Sequence, residues 1–205
     1  SGTSYVSWAT IESALASGNV VVHVVDGGDG FLNVAGSHNS SSLTLVRPFG
    51  NYTTTSVYSS PNKLSLLSAG TISISAAFGN AGTGAIDIMA GWNGNVAAPD
   101  VDAAFATGKS ITANAMIATN GDLTMKAGDT ILFTNSAGTS AGIDMNSGAL
   151  TIVADNLTLN ASAATGGGST PDVRIVSRGT QLFDIGRSGG TNGKVQLTGN
   201  SVSTA

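Results

Sequence analysis

Between Gly121 and Asn160 the sequence sets apolar residues in pairs two apart: Leu123/Met125, Ile131/Phe133, Ile143/Met145, Leu150/Ile152 and Leu157/Leu159. Gly, Asn, Asp, Ser and other small residues fill the intervals. Apolar residues at i and i+2 put one face of a strand inside and leave the other in water. Turn formers follow each pair almost at once, so every strand is short. The pairs recur at similar intervals, from Leu123 to Ile143, from Ile131 to Leu150 and from Leu150 to Val173. A recurrence of about 20 residues or more marks stacked coils that bury their apolar faces only against their neighbours. A sandwich of long hairpins asks for longer strands and more aromatic residues than the 5% present. The pattern predicts an all-β chain, a right-handed parallel β-helix (β-solenoid) with a rhythm of two strands per coil.

Composition decides whether such a chain can bury a core. Charged residues make up 10% of the sequence, and a low charge with many Ser, Thr, Asn and Gly is also seen in disordered chains. The 41% apolar content, placed periodically, argues for burial instead. The 28 glycines follow no three-residue period, which excludes collagen. A net charge of −4 with eight Lys and Arg provides no basic surface for nucleic acid or for an anionic membrane. No apolar run approaches the ~18–20 residues that cross a bilayer, so no membrane insertion is expected. The chain has no cysteine, which excludes disulfides, thiolate metal sites and a Cys nucleophile. It opens SGTSYVSW, with neither an initiator Met nor a signal peptide, and reads as a processed or excised piece.

Along the chain, residues 1–19 form a helical cover for the solenoid. Ser7 to Ser17 is the helix, capped by Ser7 or Thr10, with Trp8, Ile11, Ala14 and Leu15 on one face and Gly18-Asn19 ending it. The β-branched run Val20 to Val25 predicts a well-buried strand. Residues 31–34 and 43–46 read as further strands. Residues 47–62, with Pro48, Pro61, Phe49, Tyr52 and Tyr58, read as a first loop or hairpin excursion. Leu64/Leu66 and Ile72/Ile74 resume the coils, and Ile86/Ile88 repeats the Leu64/Leu66 pair one such interval later. Residues 91–108 form a second excursion, with a helical turn expected at 101–106. From Ile111 the coils run on through Val173/Ile175, Phe183/Ile185 and Val195/Leu197, so 1–205 is a single domain.

The segment from Trp8 to Val22, WATIESALASGNVVV, resembles a recurring module of large exoproteins, W-x-x-I-x-x-A-L-x-x-G-x-x-V-x-V. Leu64-Ser65-Leu66 through Ile72-Ser73-Ile74 to Ala77 is similar to their L-x-L…I-x-I repeat. The group is the filamentous haemagglutinin-like adhesins, bacterial proteins exported by two-partner secretion. The resemblance implies a right-handed β-helical shaft, export through an outer-membrane partner, and a role in adhesion or surface structure. The group's Asn-rich secretion motifs are not identifiable in this sequence, which therefore looks like shaft rather than secretion signal.

Chemistry-bearing residues are few. Asp87 and Asp144 stand between inward apolar residues and are expected to face water; Asp122 and Asp129 are turn formers. In β-helix lyases and hydrolases, acids converging on one groove bind Ca²⁺ or act as acid and base. Here the acids are scattered, and Asp100 with Asp102, near Trp92, is the best pair. The loop DGGDG at 26–30 occurs once and lacks the spacing of a Ca²⁺-binding nonapeptide array. Gly138-Thr139-Ser140-Ala141 echoes a serine-protease nucleophile, but His23 and His38 have no triad context and make a weak metal pair. Thr-x-Thr, the signature of ice-binding solenoids, occurs at Thr53 to Thr55 alone. The N-glycosylation acceptor pattern occurs at Asn39, Asn51, Asn156 and Asn160.

These readings predict a non-enzymatic module without catalytic, cofactor-binding or metal-binding residues. Its expected role is structural or adhesive, as a segment of an extracellular bacterial surface filament or adhesin, secreted or held at the cell surface. Tyr52, Tyr58, Trp92, Asp100 and Asp102, on the two excursions, are the candidate surface contacts; for Trp92, between stacking on a sugar ring and covering the coil core, the reading is the cover. The expected partners are copies of the chain stacked head to tail, and a glycan or protein receptor on a host or neighbouring cell. The alternative is a carbohydrate-active or glycan-binding β-helix protein.

Overall fold

The structure is a computed structural model. It describes residues 6–24, 31–34, 43–47, 50–54, 57–102, 107–135, 140–160, 173–185, 194–198 and 202–204, with 31, 33, 43–47, 50–54, 174, 194–198 and 202–204 described as backbone. The helix α1, Trp8–Leu15, comes first. Its N-cap is Ser7, in extended conformation, whose Oγ accepts from the Thr10 amide at 3.1 Å; a hydroxyl there satisfies one of the donors a helix start leaves open. Ile11 and Leu15 are buried, while Ala14, expected on the same face, is exposed.

The described strands that follow make six coils. Coil one is β1 (Val20–Val24), β2 (Phe31–Val34) and β5 (Val57–Tyr58), with the antiparallel hairpin β3 (Leu43–Arg47) and β4 (Gly50–Thr54) inserted before β5. Coil two is β6 (Leu64–Ser68), β7 (Thr71–Ile74) and β8 (Phe78–Asn80); coil three is β9 (Ile86–Ala90), β10 (Ile111–Ala113) and β11 (Met116–Thr119). Coil four is β12 (Leu123–Ala127), β13 (Thr130–Thr134) and β14 (Ala141–Met145). Coil five is β15 (Leu150–Ala154), β16 (Asn156–Asn160) and β17 (Val173–Ser177), and coil six is β18 (Gln181–Ile185), β19 (Lys194–Thr198) and β20 (Val202–Thr204). Every third strand pairs in parallel, giving three six-stranded sheets: β1-β6-β9-β12-β15-β18, then β2-β7-β10-β13-β16-β19, then β5-β8-β11-β14-β17-β20. This is a parallel β-helix.

The coil therefore has three strands, not two, and the expected stacking of pairs is corrected. Leu123 sits on Leu150, beyond Ile143, and Ile131 sits on Leu157, beyond Leu150. Ile143 belongs to the third sheet and stacks on Ile117 and Ile175. In coils four and five all three strands carry the i, i+2 apolar signature, so counting from one pair to a nearby one crosses a corner instead of closing a coil; in coils two and three the third strand sets Phe78 beside Asn80 and Ile117 beside Thr119 and escapes such a count. The interval from Leu64 to Ile86, by contrast, is one true coil.

In-register stacking turns each inward position into a column. Val20, Leu64, Ile86, Leu123 and Leu150 form one; Val22, Leu66, Ile88, Met125, Ile152 and Phe183 form the next. From Leu64 to Ile152 these side chains are at most 2% exposed. Burying one such side chain stabilises by about 1.5–3 kcal/mol, and the columns repeat this coil after coil. At the ends the columns open. Val20 and Val22 are half-buried and Val21 is exposed, so the β-branched run is an edge strand and not the fully buried strand its composition suggests. Phe183, in β18, is 42% exposed. At coil one α1 supplies the cover, with Trp8 5.5 Å from Phe78, ring centre to ring centre. The Leu15 carbonyl accepts from Ser60 Oγ and Asn62 Nδ2, both at 2.8 Å, tying the helix end to the corner before β6.

That corner repeats. Asn62, Gly84, Gly121, Gly148 and Gly179 stack in line, and each stands two residues before a strand of the first sheet. A Cβ on any of these four glycines would run into the backbone of the preceding corner. Glycine is the residue that permits so close an approach of two backbones. Beside this column the fully buried Asn80 uses its whole amide: Oδ1 accepts from Ser60 and Gly82 amides, and Nδ2 donates to the Ser60 and Gly84 carbonyls, at 2.8–2.9 Å.

The first excursion is bounded differently from the expected 47–62. The hairpin starts at Leu43, and the chain is back in the third sheet at Val57. In the second, Val101 is extended, bridging to Trp92; the remainder of the expected helical turn, 103–106, lies outside the described residues, as does the 26–30 loop.

Candidate functional site

Strands β6 and β9 are buried at all five positions, whereas β12, one coil on, alternates buried and half-buried. The cause lies on the outer face of the first sheet. There Leu67, Met89 and Trp92 form an apolar cluster of their own, separate from the coil interior, at 0%, 3% and 1% exposure. Trp92 comes from the loop after β9, which folds back across the sheet. His23, exposed on β1 and in register with Leu67 and Met89, meets the indole edge to face, with ring centres 5.4 Å apart.

The loop is pinned at both ends. Gly91 and Trp92 amides donate to the Gly70 and Ser68 carbonyls, Asn93 donates to Asp100, and Asp102 donates to Gly91. Gly91 and Gly94 have φ of 76° and 80°, the left-handed region glycine tolerates. Side chains complete the framework. Asn93 Oδ1 accepts from the Asn95 amide, Asn95 Oδ1 from Ala97 and Ala98, and Trp92 Nε1 donates to the Asn95 carbonyl. Lys126 Nζ, on β12, donates to Asp100 Oδ1 at 3.2 Å. What remains outward is 94–98, with Val96 at its apex 46% exposed.

The expected contact residues are thus distributed unequally. Trp92 is a cover, as favoured over a sugar contact, but it lies on the outer face of the first sheet, its ring over the apolar patch of Leu67 and Met89. Tyr58 is also buried, at 5%, against α1 and the core. Its burial, helped by the nearby Glu12 charge, pushes the phenol well above the ordinary tyrosine range, and its hydroxyl has no hydrogen-bond partner among the described residues. Asp100 and Asp102 are half-exposed on the loop, Asp100 engaged with Lys126. Tyr52 lies in β4 opposite Leu45, its side chain outside the described residues.

Asp87 and Asp144, expected in water, are both buried. Asp87 is on the outer face of the first sheet with the Lys63 ammonium against its carboxylate; Asp144 is on the third sheet between Ala118 and Val176, both buried. Asp122 and Asp129 are staples between coils: Asp122 Oδ1 accepts from the Ala149 amide at 2.8 Å, and Asp129 reaches Ser110, Thr130 and Asn156. Of the glycosylation patterns, Asn156 is half-buried with Nδ2 3.5 Å from Asp129, and Asn160 is exposed at the end of β16. Asn51 is described as backbone only, and Asn39 lies outside the described residues. No group of three potential metal ligands occurs among the described residues, and no helix there is long and apolar enough to cross a membrane.

The outer cluster escapes a reading by alternation, although it leaves a trace in the sequence. Leu66-Leu67 and Ile88-Met89 put apolar residues side by side and break the alternation, which happens when both faces of a strand are covered. No protein family, curated protein or solved structure matches the chain.

Proposed function

We propose that the chain is a structural or adhesive segment of an extracellular surface filament or adhesin, a stiff shaft whose insertions make the contacts. The observation that carries this is the loop of residues 91–102. It is bonded within itself, clamped by Trp92 to a rigid sheet, and presents a neutral apex at 94–98. A contact surface ordered in advance loses little entropy when it binds. The resemblance of Trp8–Val22 to the haemagglutinin-like exoproteins supports the same reading and implies secretion to the bacterial surface. The partners proposed are a glycan or protein receptor and further copies joined end to end. Joining copies would bring coil six of one against coil one of the next, where α1 packs.

The test is binding to a glycan array and to immobilised cells, with Val96→Asp as the probe, since it recharges the apex without touching the core. Loss of binding with an unchanged circular dichroism spectrum is the expected result; binding indifferent to Val96→Asp contradicts the assignment. Polysaccharide cleavage abolished by Asp100→Asn or Asp102→Asn would instead make the protein an enzyme. Electron microscopy of the purified protein tests the end-to-end joint, which predicts continuous thin fibres.

A further inference from the structure

Resting on the end-to-end reading above, we propose how two copies join: β1 of one copy adds to β18 of the other in the register the first sheet already keeps, and α1 is a gate that lifts first. Among the described residues the exposed large apolar side chains are Val6, Val21, Val96, Leu182 and Phe183. Val96 is the loop apex. The other four lie at the two ends of the solenoid, Val6 before α1 and Val21 in β1, Leu182 and Phe183 in β18. β1 and β18 are also the outer strands of their sheet, each with one row of backbone groups that no described strand pairs. The columns of the first sheet run from β1 to β18, so a further coil stacked in step has its place fixed. It sets Val21 on Leu182, Val22 on Phe183 and His23 on Asp184. The first pair covers two exposed apolar side chains with each other, and the second closes the open inner column. The third puts an imidazole beside a carboxylate, a donor with an acceptor. The second sheet agrees: the positions of Leu32, Asn33 and Val34 continue those of Val195, Gln196 and Leu197. Two unlike ends that match in this way make a heterologous contact, which repeats into an open filament.

The helix α1 stands between those ends. With its side chains a helix is about 10 Å across, and paired strands lie only about 4.8 Å apart, so β18 does not reach β1 while α1 lies over coil one. Burial of Ile11 and Leu15, the Trp8–Phe78 contact and the two hydrogen bonds to the Leu15 carbonyl hold it there. Its 8 residues are too few for a helix to persist away from a supporting surface. Joining exchanges this helix for a whole coil.

The test mixes two single variants of the full chain, Val21→Cys and Leu182→Cys, under mild oxidation; the chain has no other cysteine and both positions are exposed. The mixed disulfide is expected to exceed either like disulfide by about tenfold or more, because thiols held in a joint meet at an effective concentration far above that of the free chains. Ser7→Ala, which removes the cap of α1 and touches no coil, should speed the mixed disulfide about fivefold. Like and mixed disulfides in the proportions of random collision overturn the proposal. Fibres that form without the mixed disulfide keep the end-to-end reading and overturn this joint. A mixed disulfide that Ser7→Ala fails to speed overturns the gate. Absence of both fibres and mixed disulfide, in the parent background and with Ser7→Ala, overturns the end-to-end reading as well.

Discussion

The first sheet meets a different environment on each face. Inside, its side chains form columns continuous from coil to coil, each residue seated between like neighbours above and below. Outside, the apolar cluster among the described residues is Leu67, Met89 and Trp92, lying where a loop crosses. The inner face is the fold itself: remove a member and the coils on both sides lose a contact. The outer patch is an attachment, which can let go while the coils stay stacked. On this face the insertion docks where β6 and β9 lose the alternation that β12 keeps.

The comparison can be broken most severely on the inside. Ile143→Asp places an unpaired carboxylate in a column between Ile117 and Ile175 and is expected to destabilise by more than about 4 kcal/mol, enough to collapse several coils; a β spectrum and cooperative melt like those of the parent would refute the core assignment. Ile88→Ala and Trp92→Ala then set one face against the other. Ile88→Ala should lower global stability by about 2–5 kcal/mol in denaturant melts. Trp92→Ala removes a larger side chain, yet its main effect should be local: faster exchange at the Asn93 and Asp102 amides, with a smaller change in the melt. Lys126→Ala, which removes a partly exposed ion pair with Asp100, should change stability by no more than about 1 kcal/mol, and less in high salt.

The smallest effect at neutral pH belongs to Tyr58→Phe. The buried hydroxyl has no partner among the described residues, so its removal is expected to be neutral or slightly stabilising. At alkaline pH the variant becomes informative. The folded chain holds the phenol neutral well above its ordinary range, so this contribution to stability is intact below about pH 10, the unfolded value, and is lost as pH rises beyond it. Melts of the phenylalanine variant should lack that alkaline component.

Much of the fold can be read from i, i+2 pairs, because so short a period shows itself within a single strand. The coil length cannot, since in coils four and five strands of all three sheets carry the same signature, in coils two and three the third strand lacks it, and the corners are what mark the count. The corner signal is present: a glycine two positions ahead of Ile86, Leu123, Leu150 and Gln181. It is hidden among 28 glycines. The candidate site is less legible. Tyr58 looks like an exposed aromatic when read as a member of a loop, and Trp92 reads as a cover without showing what it covers; both depend on residues distant in sequence, the helix for Tyr58 and Leu67 for Trp92.

The measurement that bears most directly on the three-strand coil is disulfide pairing, which the cysteine-free chain makes clean. Thr124 and Thr151 are outward neighbours on β12 and β15. Adjacent strands lie about 4.8 Å apart, within the separation a disulfide spans. The Thr124→Cys, Thr151→Cys pair should therefore close within one molecule under mild oxidation. Leu132 and Thr151 would be neighbours only if the coil closed between Ile131 and Leu150, as a two-strand rhythm requires, and the Leu132→Cys, Thr151→Cys pair should stay open. Closure of the second pair, with the first remaining reduced, would contradict the architecture.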